Sequence, residues 1–325
     1  MKDISHHTII EYAIPLWISV TISLTMFFQA RLLAPENPDN RATFLVYTAT
    51  KNDAVALSNP WKPRLFSTYL AGLTMKAILH IEDSATMISE DNVFEIGVAL
   101  WTASWLFLVN TTFVFAFRDR SLFYILGTFA AVSFGYMPGI VLRIYPWDMP
   151  ALFFYTLLVV TSPRLPAYGF LVLIPLATGF KETAILLSIT LFFSDKMKGK
   201  KTLTTFTLAV LLSVFVKSLL GIATGTPRAF FSMYSSAQLL RYNVMSLVRP
   251  NPHYPSPVFI NAGLLLAFLL LPIVNRRMLI LKVICLLFII GTFTFGAIVE
   301  YRIWFEMIPI SLCGLEMCLF RHSKR

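Results

Sequence analysis

The chain has 325 residues, of which 57% are hydrophobic and 14% charged, and carries a formal net charge of +10 with a mean hydropathy of +0.70. That composition excludes a soluble domain, and apolar runs recurring from end to end specify an all-α polytopic membrane protein. The basic residues cluster at the ends of those runs, as cytoplasmic anchors do, which excludes nucleic acid as a partner and points to membrane lipids.

The first apolar run, from about Ile9 to Leu33, is too long for a signal-peptide core and has no convincing cleavage site before the polar stretch APENPDN. It reads as a retained first span. Residues 34–92 form a first external loop, within which LFSTYLAGLTMKAILHI aligns Leu65, Tyr69, Leu73 and Ala77 on one helical stripe, as in a helix lying on the membrane surface. A true span there is the alternative. Val93 to Phe117 then runs inward to the basic RDR of Arg118–Arg120; Asn110, in a match to a glycosylation sequon, falls mid-span, where no glycan is expected. SPRLP, Ser162 to Pro166, also reads as cytoplasmic, leaving Tyr145 to Pro150 outside.

From Ala167 to Ser194 the chain is nearly unbroken apolar sequence except for GFKETAIL, which sets Lys181 beside Glu182. Roughly 28 residues are long for one span and short for two. Two short or tilted helices meeting at Gly179, Lys181 and Glu182 near the external face keep every basic cluster inside. KMKGKK (Lys196 to Lys201), NRRM (Asn275 to Met278) and the tail RHSKR (Arg321 to Arg325) are those clusters. Between them lie spans at Leu203 to Ile222 and Pro257 to Val274, a second large external loop at 224–256, and spans at Met278 to Val299 and Ile303 to Phe320. The expectation is one membrane domain, 1–325, of about ten transmembrane or half-spanning helices, with both termini cytoplasmic. Cys285, Cys313 and Cys318 sit inside apolar runs with no spacing for a disulfide framework or a thiolate metal site.

On this map the remaining charges collect externally: Asp53 and Arg64 in the first loop, Asp148 in YPWDMPAL, the Lys181–Glu182 pair, Lys217 near the outer end of its span, and Glu300, Arg302 and Glu306 in VEYRIWFEMIP. A charge in an apolar segment costs about 2.5–3.5 kcal/mol at mid-helix on insertion scales, so such residues usually mark a polar site. The 224–256 loop adds Arg228, Arg241, Arg249 and His253 with no acidic residue, against the positive-inside bias. Guanidinium forks suit a phosphate or diphosphate. The plain structural alternatives are a helix cap for Asp148, interfacial capping for Lys181 and Glu182, and an interfacial loop pair for Glu300 and Arg302.

In this order the residues resemble the GT-C superfamily of membrane glycosyltransferases, which use lipid-linked sugars on the non-cytoplasmic face. PWKPRLFSTYL is similar to the first-loop element with its Lys-Pro-Pro-Leu run, Arg64 standing for the second proline; YPWDMPALFFYTLL and FKETAILL are similar to the second-loop and mid-chain elements of small bacterial-type members, and EYRIWFEMIPI to their late arginine and glutamate element. The resemblance implies a GT-C-like fold with interfacial helices in the first external loop, and transfer of a sugar from a polyprenyl-phosphate donor to an acceptor hydroxyl. It gives Asp53 the place of the first-loop carboxylate, the catalytic base, and Asp148 that of the second-loop acid. The usual Asp-Glu pair after the first span is absent, and Glu36 and Asp39 lie closer to that span, so Asp39 is the alternative base.

The chemistry needs a carboxylate to accept the hydroxyl proton and cations to stabilise the departing phosphate. Lys181 is expected to neutralise the phosphate, with Glu182 paired to Arg302 or Lys217, so Glu182→Gln is expected to cost more stability than Lys181→Met. If Asp53 and Asp148 converge, a divalent cation such as Mg or Mn would be shared between them. Rival readings are a polysaccharide polymerase or ligase using lipid-linked glycans, a noncatalytic subunit of a glycosylation complex, and a transporter or lipid flippase; the last predicts broken helices in two matching halves, which the sequence lacks.

Overall fold

The computed structural model describes residues 6–33, 70–74, 77, 90–134, 147–194, 198–223, 238, 240–241, 243–245, 264–265, 267–295 and 301–320. The protein is all-helical, with no strand among the described residues. Its main α-helices are α1 (His6–Leu33), α2 (Glu90–Ala116), α3 (Ser121–Phe134), α4 (Asp148–Thr161), α5 (Ala167–Phe180), α6 (Lys200–Ala223), α7 (Arg276–Phe295) and α8 (Ile308–Leu319), joined by tighter 3₁₀ segments at Arg118–Arg120, Glu182–Phe193 and Tyr301–Met307. Four stretches, Tyr12–Arg31, Glu95–Ala116, Lys200–Leu220 and Arg276–Thr294, are long and apolar enough to cross a membrane; the helices Asp148–Thr161, Ala167–Phe180 and Glu182–Phe193 are apolar but shorter. Of the roughly ten segments expected, the described residues therefore supply four of full length.

Side-chain contacts orient the helices. Tyr12 meets Phe115, with ring centroids 5.9 Å apart, and Arg31 lies 3.6 Å from Glu95, so α1 and α2 are antiparallel. Stacking of Tyr124 on Phe113 at 4.7 Å and on Phe117 at 4.4 Å turns α3 back along α2. The Glu182–Phe193 helix returns along α5, because Ser194 Oγ, just past its end, donates to the carbonyl of Leu165, just before α5 starts. One end of the bundle thus gathers Arg118, Arg120, Arg164, Lys198, Lys200, Lys201 and Arg277, with Asp119 and Glu316 among them. The other gathers Glu95, Asp148, Glu182 and Glu306 with Arg31, Lys181 and Lys217.

The arginines at the first end tie helix termini together. Arg120 pairs with Glu316 of α8 and lies 4.8 Å from the Phe320 ring centroid, Arg118 lies over Tyr12 at 5.1 Å, and Arg277 donates to the carbonyl of Val159 at 3.0 Å. A cation among the free carbonyls at the C-terminus of α4 is favoured by both hydrogen bonding and the helix dipole.

Helix α6 shows why packing here needs small side chains. Its buried face is Thr202, Thr205, Ala209, Ser213 and Lys217, spaced by three or four residues, while Leu203, Leu211, Phe215 and Ile222 are exposed on the opposite side. In lipid there is no hydrophobic gain from bringing helices together, so close approach through small residues supplies the attraction. That face ends in a buried lysine. The first-loop segment 70–74 is helical as expected, but Ala71 is the residue buried against Val98 and Trp101. Leu73 of the expected stripe is 43% exposed, as a residue facing the membrane surface would be, and Leu65 and Tyr69 lie outside the described residues.

Gly314 of α8 faces Phe268 so closely that a Cβ there would overlap the ring, and Phe268 is fully buried. Gly314→Ala is expected to lower stability by about 1–3 kcal/mol in thermal unfolding in detergent, the usual cost of overpacking. Gly291→Ala, where a Cβ has nothing within 4 Å, is the control and should be neutral or stabilising by up to about 1 kcal/mol.

Candidate functional site

Chain geometry creates the site at the junction of α5 and the Glu182–Phe193 helix. Lys181 between them is extended, with φ −150 and ψ 130. Its N–H donates to the carbonyl of Ala177 at 2.9 Å and its carbonyl accepts from Ala184 N–H at 3.1 Å, so the break leaves neither group of this residue unmet. The two short helices expected from the sequence are therefore present, and Lys181 turns the chain between them.

The ammonium of Lys181 lies 3.2 Å from Asp148 Oδ1 and forms an ion pair with Glu306 Oε1. Glu306 Oε1 meets it as an ion pair rather than a directed hydrogen bond, while Glu306 Oε2 accepts from the hydroxyl of Thr183. The carbonyl of Thr183 in turn accepts from Tyr155 Oη at 2.8 Å, and the same phenol lies against Glu306. Asp148 and Glu306 are 0% exposed and Lys181 4%. Beside this cluster Lys217 lies 3.3 Å from Glu182, whose side chain is 27% exposed.

Helix length sets the depth of these charges. Helix α4 spans about 21 Å at 1.5 Å per residue, less than a hydrocarbon core of about 30 Å. Asp148 heads α4 at the end opposite Arg164 and the Arg277–Val159 contact, and Trp105 of α2 meets Phe153 of α4, so α2 runs past the cluster. Charges in an apolar bundle are tolerated when paired and turned inward, which is the arrangement seen.

Trp147 occupies the N-cap position of α4 without a side-chain cap bond, and Asp148, in the first turn, sets its carboxylate against Lys181. A correction concerns the lysine and glutamate pair. Glu182 pairs with Lys217, one of the two partners expected for it, but Lys181, expected to face the phosphate, is held by Asp148 and Glu306. An ammonium sits on the Asp148 carboxylate, and Asp53, the other ligand expected for a shared divalent cation, lies outside the described residues. Among the described residues no group of three or more His, Cys, Asp or Glu side chains converges.

Other expected residues are placed as follows. Asp53, Arg64, Arg228, Arg249 and Glu300, together with Glu36, Asp39 and His253, lie outside the described residues. Arg302 belongs to the Tyr301–Met307 helix that delivers Glu306. Arg241 is exposed and belongs to a segment anchored by Asn243, whose amide donates to the carbonyl of Phe293 at 2.8 Å and of Thr292 at 3.4 Å. Those carbonyls end α7 at the carboxylate end of the bundle. Sequence reasoning missed Tyr155 and Thr183. Tyr155 follows Asp148 by seven residues, two helical turns along one face, and that spacing was the available signal.

No family model, curated protein or solved structure matches the chain.

The burial pattern reverses the expected order of two substitutions. Lys181→Met leaves two fully buried carboxylates without their shared cation and is expected to cost about 3–5 kcal/mol. Glu182→Gln should cost less, because its side chain reaches solvent. Thermal unfolding of both variants in one detergent checks this, and a larger loss in Glu182→Gln would refute it.

Proposed function

We propose that the protein is a membrane glycosyltransferase that moves a sugar from a polyprenyl-phosphate donor to an acceptor hydroxyl on the non-cytoplasmic face. The observation that carries this reading is the one-ended charge distribution: Asp148, Lys181 and Glu306 are joined at the end opposite the basic rim, and the Arg241 segment is anchored at that same end. By the positive-inside bias the basic rim is cytoplasmic and so are both termini. A one-sided site suits an enzyme that meets its lipid-linked donor at one leaflet.

In the proposed reaction the acceptor oxygen attacks the anomeric carbon while its proton passes to a carboxylate. The bond from that carbon to the phosphate oxygen breaks, and the polyprenyl phosphate leaves with the electron pair. Asp53 and Asp148 are the proposed carboxylates, Asp53 by the family resemblance alone. Lys181 serves a different role from the one its sequence context suggests: it pairs with Asp148 and Glu306 and holds them in place. Neutralisation of the leaving phosphate then falls to Arg241, with Arg228, Arg249, Arg302 and Arg64 as further candidates.

Purified protein supplied with radiolabelled polyprenyl-phosphate sugars is expected to transfer or release sugar. Asp148→Asn should reduce turnover by about 10²-fold or more, and Arg241→Ala should raise the donor KM about tenfold, as loss of a charge-assisted bond worth about 1.4 kcal/mol would. Movement of intact lipid-linked sugar across proteoliposomes without bond cleavage would replace this reading with that of a flippase.

A further inference from the structure

Many hydroxyl groups in these apolar helices follow one rule. The Thr21, Thr25, Thr112, Thr156, Thr161 and Thr178 hydroxyls each donate to the carbonyl four residues earlier, at 2.6–3.0 Å. Such back-bonding is the usual way for a helical hydroxyl to enter lipid or a dry core. Ser19, Ser23, Thr111, Thr128 and Ser213 do not do it: their hydroxyls are buried without a hydrogen-bond partner among the described residues, and so are both polar atoms of the Asn110 amide. Ser213 stands by itself on α6, whereas Ser19, Ser23, Asn110 and Thr128 belong to α1, α2 and α3. Asn110, Ser19 and Thr128 are fully buried and Ser23 is 7% exposed.

Helix register brings the four to one level. Stacking of Phe113 on Tyr124 puts Asn110, about one turn before Phe113 on α2, across from Thr128, about one turn after Tyr124 on α3. The Tyr12–Phe115 and Arg31–Glu95 contacts put Ser19 of α1 within about one turn of Asn110. The bond from Ser133 Oγ to Met26 Sδ, at 3.7 Å, puts Thr128 between the levels of Ser19 and Ser23. Three helices therefore bring five polar atoms, three hydroxyl oxygens and the amide oxygen and nitrogen, to neighbouring levels.

We propose that this convergence between α1, α2 and α3 is a buried hydration site, in which Ser19, Ser23, Asn110 and Thr128 hold one or two water molecules. An amide in hydrocarbon with neither atom bonded carries the full desolvation penalty. A buried water typically makes about three hydrogen bonds and needs two to four polar partners, which these groups supply. The hydroxyls forgo back-bonding because the water offers them a partner between the helices. The site lies apart from the Asp148 cluster and does not depend on the enzymatic reading.

The test is a set of thermal-unfolding double-mutant cycles in one detergent, using Asn110→Leu, Ser19→Ala and Thr128→Val. Each single substitution should lower Tm by a few degrees. Asn110 should couple to both hydroxyls, each double variant losing less than the sum of its singles, because one shared water is lost only once. Coupling of Asn110 to one hydroxyl alone would overturn the proposal in favour of a direct side-chain bond, and Asn110→Leu that is more heat-stable than the parent would overturn it outright. Should Asn110→Leu not fold, the Ser19→Ala and Thr128→Val cycle decides: coupling upholds the shared water and additivity refutes it.

Discussion

One ammonium shared by two buried carboxylates is the constraint on which this end of the fold depends. Asp148 heads α4, Lys181 interrupts the chain between two short helices, and Glu306 ends a tight turn of helix that continues into α8. None of the three is stable alone when buried, since an unpaired charge in a low-dielectric interior is worth several kcal/mol of penalty. Each therefore fixes the others. The break at Lys181, which would be a defect in an isolated span, lets the lysine reach a carboxylate on either side.

The lengths of the helices around it fit the same constraint. Helices α4 and α5 are half the length of α1 and end at the ionic layer, while α1 and α2 run past it and carry their own Arg31–Glu95 pair. Secondary contacts then support the layer: Thr183 and Tyr155 fix Glu306, and the small-residue face of α6 allows Lys217 to approach Glu182. At the opposite end, arginines bind carbonyls, rings and one carboxylate of neighbouring helices. That end is held by many exposed or half-exposed contacts, the carboxylate end by a few buried ones.

Much of this was legible in the sequence, because hydropathy and charge position are local properties. Apolar runs located the helices, and GFKETAIL located the break, since a charged pair inside roughly 28 apolar residues is costly unless the chain turns there. The identity of the partners was not legible. Thr183 and Glu306 are 123 residues apart, and nothing local says that Glu306, rather than Glu182 beside it, completes the lysine's shell. Burial was hidden for the same reason: Glu182 and Lys181 are adjacent in sequence, yet one side chain reaches solvent and the other does not. Asn110 shows the reverse case. Its place in the middle of an apolar run is local, but the cost of a buried amide, which depends on three helices meeting, appears only in the fold.

The shared ammonium is tested most directly by a double-mutant cycle between Lys181→Met and Glu306→Gln, read as unfolding free energy in detergent. If the two side chains form the ion pair seen here, adding Glu306→Gln to Lys181→Met removes an orphaned charge and restores stability, giving a coupling of about 1–3 kcal/mol. Strictly additive losses would mean that the ammonium and the Glu306 carboxylate do not meet, and the ionic layer would not be the element that organises this end of the protein.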